Sequence, residues 1–294
     1  MKFDRSTHAV VTGAGSGLGR AFAKELASRG AAVVASDLRL DTARATAEEI
    51  AAHGGKAHAL ACDVTKAEDV RRLAEESAAL VGDVSLLINN AGIGAGGDVG
   101  VTTLTDWHKV IDANLWGVIH GCHAFVPAMR ARRAGHIVNV ASIAAIASAP
   151  RTAAYNVSKA AVVALSETLA AEAGKDGVGV TVVCPSFFWT NILQDAVGVA
   201  DEHLRKTVVK LTAKSKLSAA DIARLTLDGA KRGRLYIMPH AAARWIWRLK
   251  RLAPSTYAKL IGRLASGPAT GVPQIRRSVG RGRDETAQPG SKNN

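Results

Sequence analysis

Short β-branched apolar runs alternate with longer amphipathic segments over residues 1–240, and this alternation constrains the fold more than any other feature of the chain. Strands that alternate with helices form a parallel sheet with helices on both faces. Right-handed crossovers then give a doubly wound α/β fold of the Rossmann type, which binds ligands at the carboxyl ends of its strands. We therefore expect a Rossmann-type parallel sheet of about seven strands.

The same pattern gives approximate bounds for each element. The predicted strands cover residues 8–12, 32–36, 57–62, 84–89, 136–140, 179–184 and 235–238. The predicted helices cover residues 18–29, 42–53, 67–81, about 106–132, 153–173 and 219–231.

The positive charge of the chain is concentrated at its C-terminal end. The net charge is +13, but fourteen Lys and Arg against two acidic residues lie from Lys231 onward, so the rest of the chain is close to neutral. We predict a single Rossmann-type catalytic domain over 1–240, a basic helical extension over 241–266 and a disordered tail over 267–294. Because no aromatic platform is interleaved with the basic residues, we predict no specific nucleic-acid binding.

Other classes of protein are disfavoured by composition. No uninterrupted apolar run reaches the roughly 20 residues that span a bilayer, and the short apolar stretch at the N-terminus indicates a first strand, not a signal peptide. Cys62, Cys122 and Cys184 are too widely spaced for a metal or disulfide pattern. We therefore predict buried thiols, no metal site and a cytoplasmic protein.

The extension has the pattern of two basic amphipathic helices. Beside Arg244, Arg248 and Arg251 runs an apolar stripe of Trp245, Leu249 and Leu252. Pro254 is predicted to end the first helix and Ser255 to cap the second. Such helices lie on anionic membrane surfaces, pack over an active site or pack against another subunit, and the sequence leaves peripheral membrane contact through 241–266 open beside the other two.

A glycine-rich turn between the first strand and its helix indicates a nucleotide site. Gly13, Gly17 and Gly19 follow the pattern G-x-x-x-G-x-G, which lets the backbone approach a pyrophosphate. The free N–H groups and the dipole of the helix N-terminus then bind that anion.

Asp37 ends the second predicted strand, about twenty residues after the loop. A carboxylate there can bond an adenosine ribose and repel a 2′-phosphate, so we predict NAD, with NADP less favoured. A guanidinium from Arg39 or Arg20 would instead favour NADP.

Tyr155 and Lys159 form the candidate catalytic pair. They lie four residues apart and therefore project from one face of a helix. A phenol has a pKa of about 10, and a neighbouring ammonium lowers that pKa towards neutrality. Ser142, thirteen residues before Tyr155, can orient a carbonyl or alkoxide oxygen against the phenol. Beside a nucleotide loop, this set indicates proton transfer coupled to hydride transfer.

Together these motifs resemble the short-chain dehydrogenase/reductase family over about residues 5–240. The motifs that follow the family's order and spacing are T-G-A-G-S-G-L-G at 12–19, D-V at 63–64, N-N-A-G at 89–92, D-A-N-L-W-G with Asn114, N-V-A-S with Ser142, and Y-N-V-S-K at 155–159. The resemblance implies cofactor contacts at Gly13, Ser16, Gly17, Leu18, Gly19, Asp37, Asp63, Val64, Asn90, Ala91, Gly92, Tyr155, Lys159, Pro185 and Thr190.

The resemblance also implies a role for each catalytic residue. Tyr155 would exchange the proton with the substrate, and Lys159 would bond the nicotinamide ribose and lower the pKa of Tyr155. Ser142 would hold the substrate oxygen, and Asn114 would position a water that relays protons to Lys159. The family further suggests a homodimer or homotetramer, in which helices at about 106–132 and 153–173 pair between subunits.

One motif departs from the family pattern. Where the family has Pro-Gly after the sixth strand, this chain has Pro185 and Ser186, which narrows the backbone conformations open to the loop. Thr190 keeps its expected place near the carboxamide of the cofactor.

The residues of this loop bear on the substrate. Phe187, Phe188 and Trp189 either form the wall of an apolar pocket or pack in the core, and residues 191–216 are expected to form a lid. An aromatic pocket suits a small hydrophobic alcohol or ketone. We therefore predict an NAD(P)-dependent oxidoreductase that interconverts a secondary alcohol and its ketone. The alternative is a non-catalytic dinucleotide-sensing or scaffold protein of the same fold.

Overall fold

Seven short strands form the centre of the computed structural model, which describes residues 3–188, 196–198 and 209–265. They are β1 (His8–Thr12), β2 (Ala32–Asp37), β3 (Lys56–Ala61), β4 (Leu86–Asn89), β5 (Gly135–Val140), β6 (Val178–Val183) and β7 (Tyr236–Ile237). All pairs of neighbours are parallel, and the order is β3-β2-β1-β4-β5-β6-β7.

Ten α-helices connect or follow these strands in the described residues, and residues 209–213 form a further helical stretch. The ten helices are α1 (Gly17–Ser28), α2 (Leu40–Ala52), α3 (Ala67–Val81), α4 (Leu104–Ile111), α5 (Gly117–Ala131), α6 (Ala144–Ala147), α7 (Ala153–Ala173), α8 (Ala219–Lys231), α9 (Ala241–Leu252) and α10 (Pro254–Ala265). A π-helical segment, Asp112–Trp116, joins α4 to α5, and a 3₁₀ turn, Gly174–Asp176, follows α7.

The strand order reverses beside β1. The chain runs outward from β1 through β2 to β3, then returns to place β4 on the other side of β1, so that Val10 pairs with both Val34 and Leu87. The loops after β1 and β4 therefore leave the sheet in opposite directions. The crevice that this opens at the carboxyl ends of the strands is where doubly wound folds bind their ligands.

Alternate residues of the strands face opposite sides of the sheet and belong to two separate cores. Val10, Leu87 and Ile137 pack on the side of α3, α5 and α7. Val11 and Ile88 pack on the other side, against α1 and α8. Because both faces are covered, the strands read as continuous apolar runs in the sequence, as is usual for parallel sheets.

The predicted fold class is confirmed, and every predicted strand is present within about two residues of its expected bounds. The predicted helix at 106–132 is wrong in detail, because the π-helical segment interrupts it. The short helix α6, directly after Ser142, was not predicted. A run of four residues has no detectable helical period, which explains why the sequence pattern missed it.

The extension folds as two helices, with one correction to their junction. The first helix ends at Leu252, and Pro254 is the first residue of the second, so Ser255 lies inside α10 instead of capping it. Proline is favoured at the first helical position because its missing N–H would have no partner there. Among the described residues no helix has the length and apolar character needed to cross a bilayer. The disordered tail expected at 267–294 lies outside the described residues.

Candidate active site

The glycine loop after β1 forms a backbone cradle. Gly13 has φ of 64° and Gly17 has φ of 52°, a region that side chains other than glycine rarely adopt. A Cβ on Gly13 would lie 2.9 Å from the Cα of Ala91, and a Cβ on Gly19 would overlap the Gly13 carbonyl oxygen. Side chains at these positions would clash with neighbouring residues, so the loop must present its backbone to any ligand.

The N-terminus of α1 opens onto this cradle. Ser16 precedes the helix in an extended conformation, and its side chain makes no capping hydrogen bond. The N–H groups of the first helical turn thus keep their capacity to bind an anion. Leu18 takes part only through its backbone, because its side chain is buried in the core.

Asp37 lies beside the loop, at the end of β2. Its carboxylate accepts hydrogen bonds from the backbone N–H of Gly15 (2.9 Å) and of Arg39 (3.1 Å). A Cβ on Gly15 would overlap Thr42 and would lie 2.8 Å from the Asp37 carboxylate. The position of the Asp37 carboxylate is therefore fixed by the backbone on either side of it.

The two arginines that would favour NADP differ in their surroundings. Arg20 forms an ion pair with Glu49, which Lys24 also contacts. These two bases lower the pKa of Glu49 to about 2, so the ion pair persists at neutral pH. Arg39 is exposed and lies two residues after Asp37. Of the two, Arg39 is the one whose guanidinium is not already held by an acidic partner in the described residues.

The D-V motif lies after β3. The Asp63 carboxylate accepts hydrogen bonds from the backbone N–H (3.1 Å) and hydroxyl (2.7 Å) of Thr65. Burial acts to raise the pKa of Asp63, but these hydrogen bonds and Lys66 outweigh it and lower the pKa. Val64 packs against Gly117 at the start of α5, where a Cβ would lie 2.8 Å from the valine methyl group.

The N-N-A-G motif ties β4 to its neighbours. Asn90 donates from its amide to the carbonyls of Thr12 (2.9 Å) and Gly13 (3.2 Å). The Thr12 hydroxyl in turn accepts hydrogen bonds from the backbone N–H groups of Asn90 (3.0 Å) and Ala91 (3.1 Å). The Asn90 side chain therefore shapes the glycine loop, and Thr12 is a supporting residue that the sequence analysis had not singled out.

Lys159 is a buried cation with a neutral partner. Its side chain is only 3% exposed, and its ammonium donates to the carbonyl of Val140 over 3.0 Å. Burial lowers the pKa of Lys159 to about 8. A buried ammonium is costly unless further groups solvate it. The carbonyl uses one of three N–H donors, so the site suits a ligand that presents hydroxyl oxygens to the other two.

Tyr155 and Ser142 lie beside this lysine. The Lys159 ammonium is 5.8 Å from the centre of the Tyr155 ring. Burial raises the pKa of the Tyr155 hydroxyl, and a hydrogen bond with Ser142 acts in the opposite direction. The expected lowering of this pKa by Lys159 is thus not seen in the described structure, where burial is the largest effect on the pKa.

Asn114 holds the loop after β4. Its side chain accepts from the N–H of Ile93 (2.7 Å) and donates to the Ile93 carbonyl (3.0 Å) and to the Ser158 hydroxyl (3.2 Å). A Cβ on Gly92 would lie 2.6 Å from the Asn114 oxygen and 3.5 Å from the Lys159 ammonium. Because both amide hydrogens have partners, the side-chain NH₂ group of Asn114 is not free to hold the predicted water.

The loop after β6 is supported by a residue that the sequence analysis missed. The Pro185 carbonyl accepts from the N–H of Ile143 (2.7 Å), and the N–H of Ser186 donates to a ring nitrogen of His240 (3.2 Å). This hydrogen bond fixes the backbone at the position where the family has glycine. Phe188 packs against the core and Phe187 is exposed, whereas Trp189, Thr190 and most of the predicted lid lie outside the described residues.

The extension contacts the segment that follows Ser142. The ammonium of Lys250 donates to the Ile146 carbonyl (2.7 Å) and the Ser148 hydroxyl (3.0 Å), and the Tyr257 hydroxyl donates to the Ala147 carbonyl (2.7 Å). Helix α6 is thereby held from outside by both α9 and α10. In the described residues the extension therefore packs on the segment that follows Ser142.

The residues brought together are compatible with a dinucleotide. Asp37 contacts the glycine loop at Gly15, Gly13 of that loop lies against Ala91, and the neighbouring Gly92 lies close to the Lys159 ammonium. In the described part of the chain no group of three or more His, Cys, Asp or Glu could hold a metal ion. The three cysteines are free and buried as predicted, and burial raises the pKa of each thiol to about 12.

Comparison with known proteins agrees with this geometry. The family model described as short chain dehydrogenase matches residues 7–198. A solved short-chain dehydrogenase/reductase from Burkholderia phymatum, in complex with NAD, superposes with a TM-score of 0.80 at 35% identity, covering 93% of this chain and 99% of that one.

Three related sequences illustrate the range of similarity. The EphD protein of Mycobacterium tuberculosis is 45% identical over 184 residues, which are 62% of this chain but only 31% of that protein. SadH of the same organism is 33% identical over 86% of this chain and 93% of its own length. A cyclohexanol dehydrogenase from an Acinetobacter species is 36% identical over 64% of this chain and 75% of its own length.

Proposed function

The chain belongs to the short-chain dehydrogenase family, and from that premise we propose that it interconverts a hydrophobic secondary alcohol and its ketone with NAD. The observation that carries this proposal is the convergence of Ser142, Tyr155 and buried Lys159 beside the glycine cradle. The presence of NAD in the Burkholderia phymatum structure and the substrate named for the Acinetobacter relative support the choice of cofactor and substrate class.

The proposed division of labour follows from the geometry. The nicotinamide, when bound, supplies or accepts the hydride. Ser142 hydrogen-bonds the substrate oxygen, and Tyr155 donates a proton to it during reduction or removes one during oxidation. Lys159 binds the nicotinamide ribose with its remaining N–H donors, and its charge stabilises the tyrosinate that forms. Asn114 keeps the loop after β4 in place beside this lysine.

The remaining predicted contacts complete the proposed cofactor site. The backbone of Gly13, Ser16, Gly17, Leu18 and Gly19 would hold the pyrophosphate, and Asp37 the adenosine ribose. Asp63, Val64, Asn90, Ala91 and Gly92 would line the adenine side and the floor of the crevice. Pro185 and Thr190 would lie at the nicotinamide end.

The proposed organisation is a catalytic domain over 1–240 with the helical extension 241–266 attached to it. We propose a homodimer or homotetramer, since Trp116 and Val157 are 46% and 51% exposed on the helices expected to pair between subunits. A non-catalytic role for the same fold is less well supported, because the Asn114, Ser142, Tyr155 and Lys159 set is intact.

The proposal is tested by replacing the proton donor. Tyr155→Phe should reduce turnover of a series of secondary alcohols by about 10²–10⁴-fold, while NADH binding measured by fluorescence changes little. Tyr236→Phe is the matched control, because that tyrosine lies on β7 and contacts Glu167 instead of the site. Undiminished turnover in Tyr155→Phe would mean that another group transfers the proton.

A separate titration tests the cofactor. Tight binding of NADH with weak binding of NADPH is the expected result for an acid at position 37. A preference for NADPH would show that Arg39 overrides the carboxylate, and the proposed assignment of NAD would then be wrong.

A further inference from the structure

Helix α9 has two apolar faces, and only one of them is covered. Ala243 is fully buried, and Ile246, Trp247 and Lys250 are half-buried against the body of the protein. On the opposite side Trp245, Leu249 and Leu252 are 68%, 40% and 84% exposed. We call these three residues the outer stripe. Large apolar side chains grouped on one exposed helix face usually mark a binding surface.

Every charged side chain that α9 contributes beside the outer stripe is positive. Arg244, Arg248 and Arg251 are exposed on the same helix, and the Arg248 guanidinium lies 5.4 Å from the centre of the Trp245 ring. Residues 241–265 contain six Lys and Arg and no acidic residue. The partner of this surface must therefore be apolar at its centre and anionic around it.

We propose that the outer stripe docks the protein on an anionic lipid bilayer, with the helix axis of α9 in the plane of the interface. Tryptophan and leucine would enter the boundary between headgroups and acyl chains, and the arginines would contact lipid phosphates. A second copy of the chain fits less well, because a twofold contact would bring two wholly cationic surfaces together. Nucleic acid would match the charge but leave the outer stripe in water.

The position of α9 in the fold determines which edge of the protein would face the membrane. Helix α9 begins directly after β7, at the carboxyl edge of the sheet, and its inner side holds the segment after Ser142 through Lys250. Contact with lipid through the outer stripe would bring that edge of the protein close to the membrane. This docking does not depend on the identity of the substrate or the cofactor.

The test compares vesicle binding by full-length proteins. Wild type is expected to cosediment with vesicles of phosphatidylcholine and phosphatidylglycerol at low salt, and far less with phosphatidylcholine alone. The variant Trp245→Glu/Leu252→Glu should bind the anionic vesicles at least about tenfold more weakly. Leu80→Glu/Leu225→Glu makes the same change on exposed sites of α3 and α8 and should bind like wild type. Circular dichroism confirms that each variant is folded.

Any one of the following results would overturn the proposal. The wild-type protein could fail to bind the anionic vesicles. The outer-stripe variant could bind them as well as wild type does. A further result is loss of binding in a full-length protein with Arg276, Arg277, Arg281 and Arg283 changed to Gln, while the outer-stripe variant still binds, because the tail would then be the docking element. The last is an outer-stripe variant whose mass in solution falls by half, which would make the surface a contact between subunits.

Discussion

At the scale of single residues, the site depends on how the surroundings modify ordinary side chains. Burial lowers the pKa of Lys159 to about 8. This value is close enough to neutrality for a bound ligand to change the charge of the side chain. Asp37 is an ordinary carboxylate until two backbone N–H groups fix its direction. In both cases the chemistry follows from the neighbours that the fold supplies.

The role proposed for Asp37 gives a prediction about cofactor choice. Asp37→Asn keeps an oxygen to accept the Gly15 hydrogen bond but removes the charge that repels a 2′-phosphate. We expect the ratio of NADH to NADPH affinity to fall by about tenfold, with little change in NADH affinity itself. Fluorescence titration of both cofactors measures the ratio. Asp41→Asn, on the first turn of α2, is the control, and an unchanged ratio in Asp37→Asn would exclude the acid as the selector.

The residues that could be predicted from sequence are those whose chemistry is encoded by local spacing. Tyr155 and Lys159 are one helical turn apart, and Ser142 precedes them in a recognisable motif. The supporting contacts could not be predicted in this way. The hydrogen bond from Lys159 to the Val140 carbonyl and that from the Ser186 N–H to His240 form only because segments distant in sequence meet in the fold. The sequence predicts a lowered pKa for Tyr155, whereas burial in the fold raises it. Burial is a tertiary property that local spacing does not encode.

At the scale of helices and strands, the helices of the extension are hydrogen-bonded to the segment that follows Ser142. Helices α9 and α10 hold α6 by hydrogen bonds to two backbone carbonyls and one hydroxyl, and α6 directly follows Ser142. The sequence pattern predicted two helices here but not their contacts, since an amphipathic period shows that a face is buried without showing against what.

These contacts predict an effect on substrate binding. Lys250→Met/Tyr257→Phe removes three hydrogen bonds, each worth about 1 kcal/mol in net stability, from the segment after Ser142. We expect the KM for the alcohol to rise by about three- to tenfold with a smaller change in kcat, because the loosened segment positions substrate less well.

Hydrogen exchange over residues 144–148 provides the second measurement for this variant. Exchange there should become faster, whereas Lys259→Met, an exposed change on α10, should leave both exchange and KM as in wild type. A normal KM together with normal exchange would show that the extension only lies beside α6 without supporting it.

At the scale of the whole molecule, buried titratable groups make the stability of the fold depend on pH. His136 on β5 is 4% exposed, and its ring lies 2.9 Å from the Thr181 hydroxyl. Burial lowers the pKa of His136 from 6.5 to about 4. Because the unfolded chain binds a proton more readily between these pH values, the free energy of unfolding should decrease as the pH falls from about 6.5 towards 4.

The size of this effect is bounded by the pKa difference at about 3 kcal/mol. Urea unfolding at several pH values measures it. His136→Gln should flatten the pH dependence in this window, while His53→Gln, at an exposed site, should not. An equally steep decrease in His136→Gln would assign the acid sensitivity to other groups.

Assembly is the other property of the whole molecule. Val157→Asp places a charge on an exposed site of α7, a helix expected to pair between subunits, and should shift the protein towards monomer in sedimentation velocity. Leu225→Asp on α8 is the matched control and should leave the mass unchanged. If both variants sediment like wild type, α7 is not part of the subunit contact.

The π-helical turn at Asp112–Trp116 makes this stretch of the chain sensitive to its length. Such a turn holds one residue more than the regular helix around it, and one residue corresponds to about 100° of rotation. Loss of a single position would leave a continuous α-helix, yet it would rotate Asn114 away from Ile93 and Ser158. A gap of one residue here, in an alignment of distant relatives, would therefore indicate a changed catalytic site even where every catalytic side chain is retained.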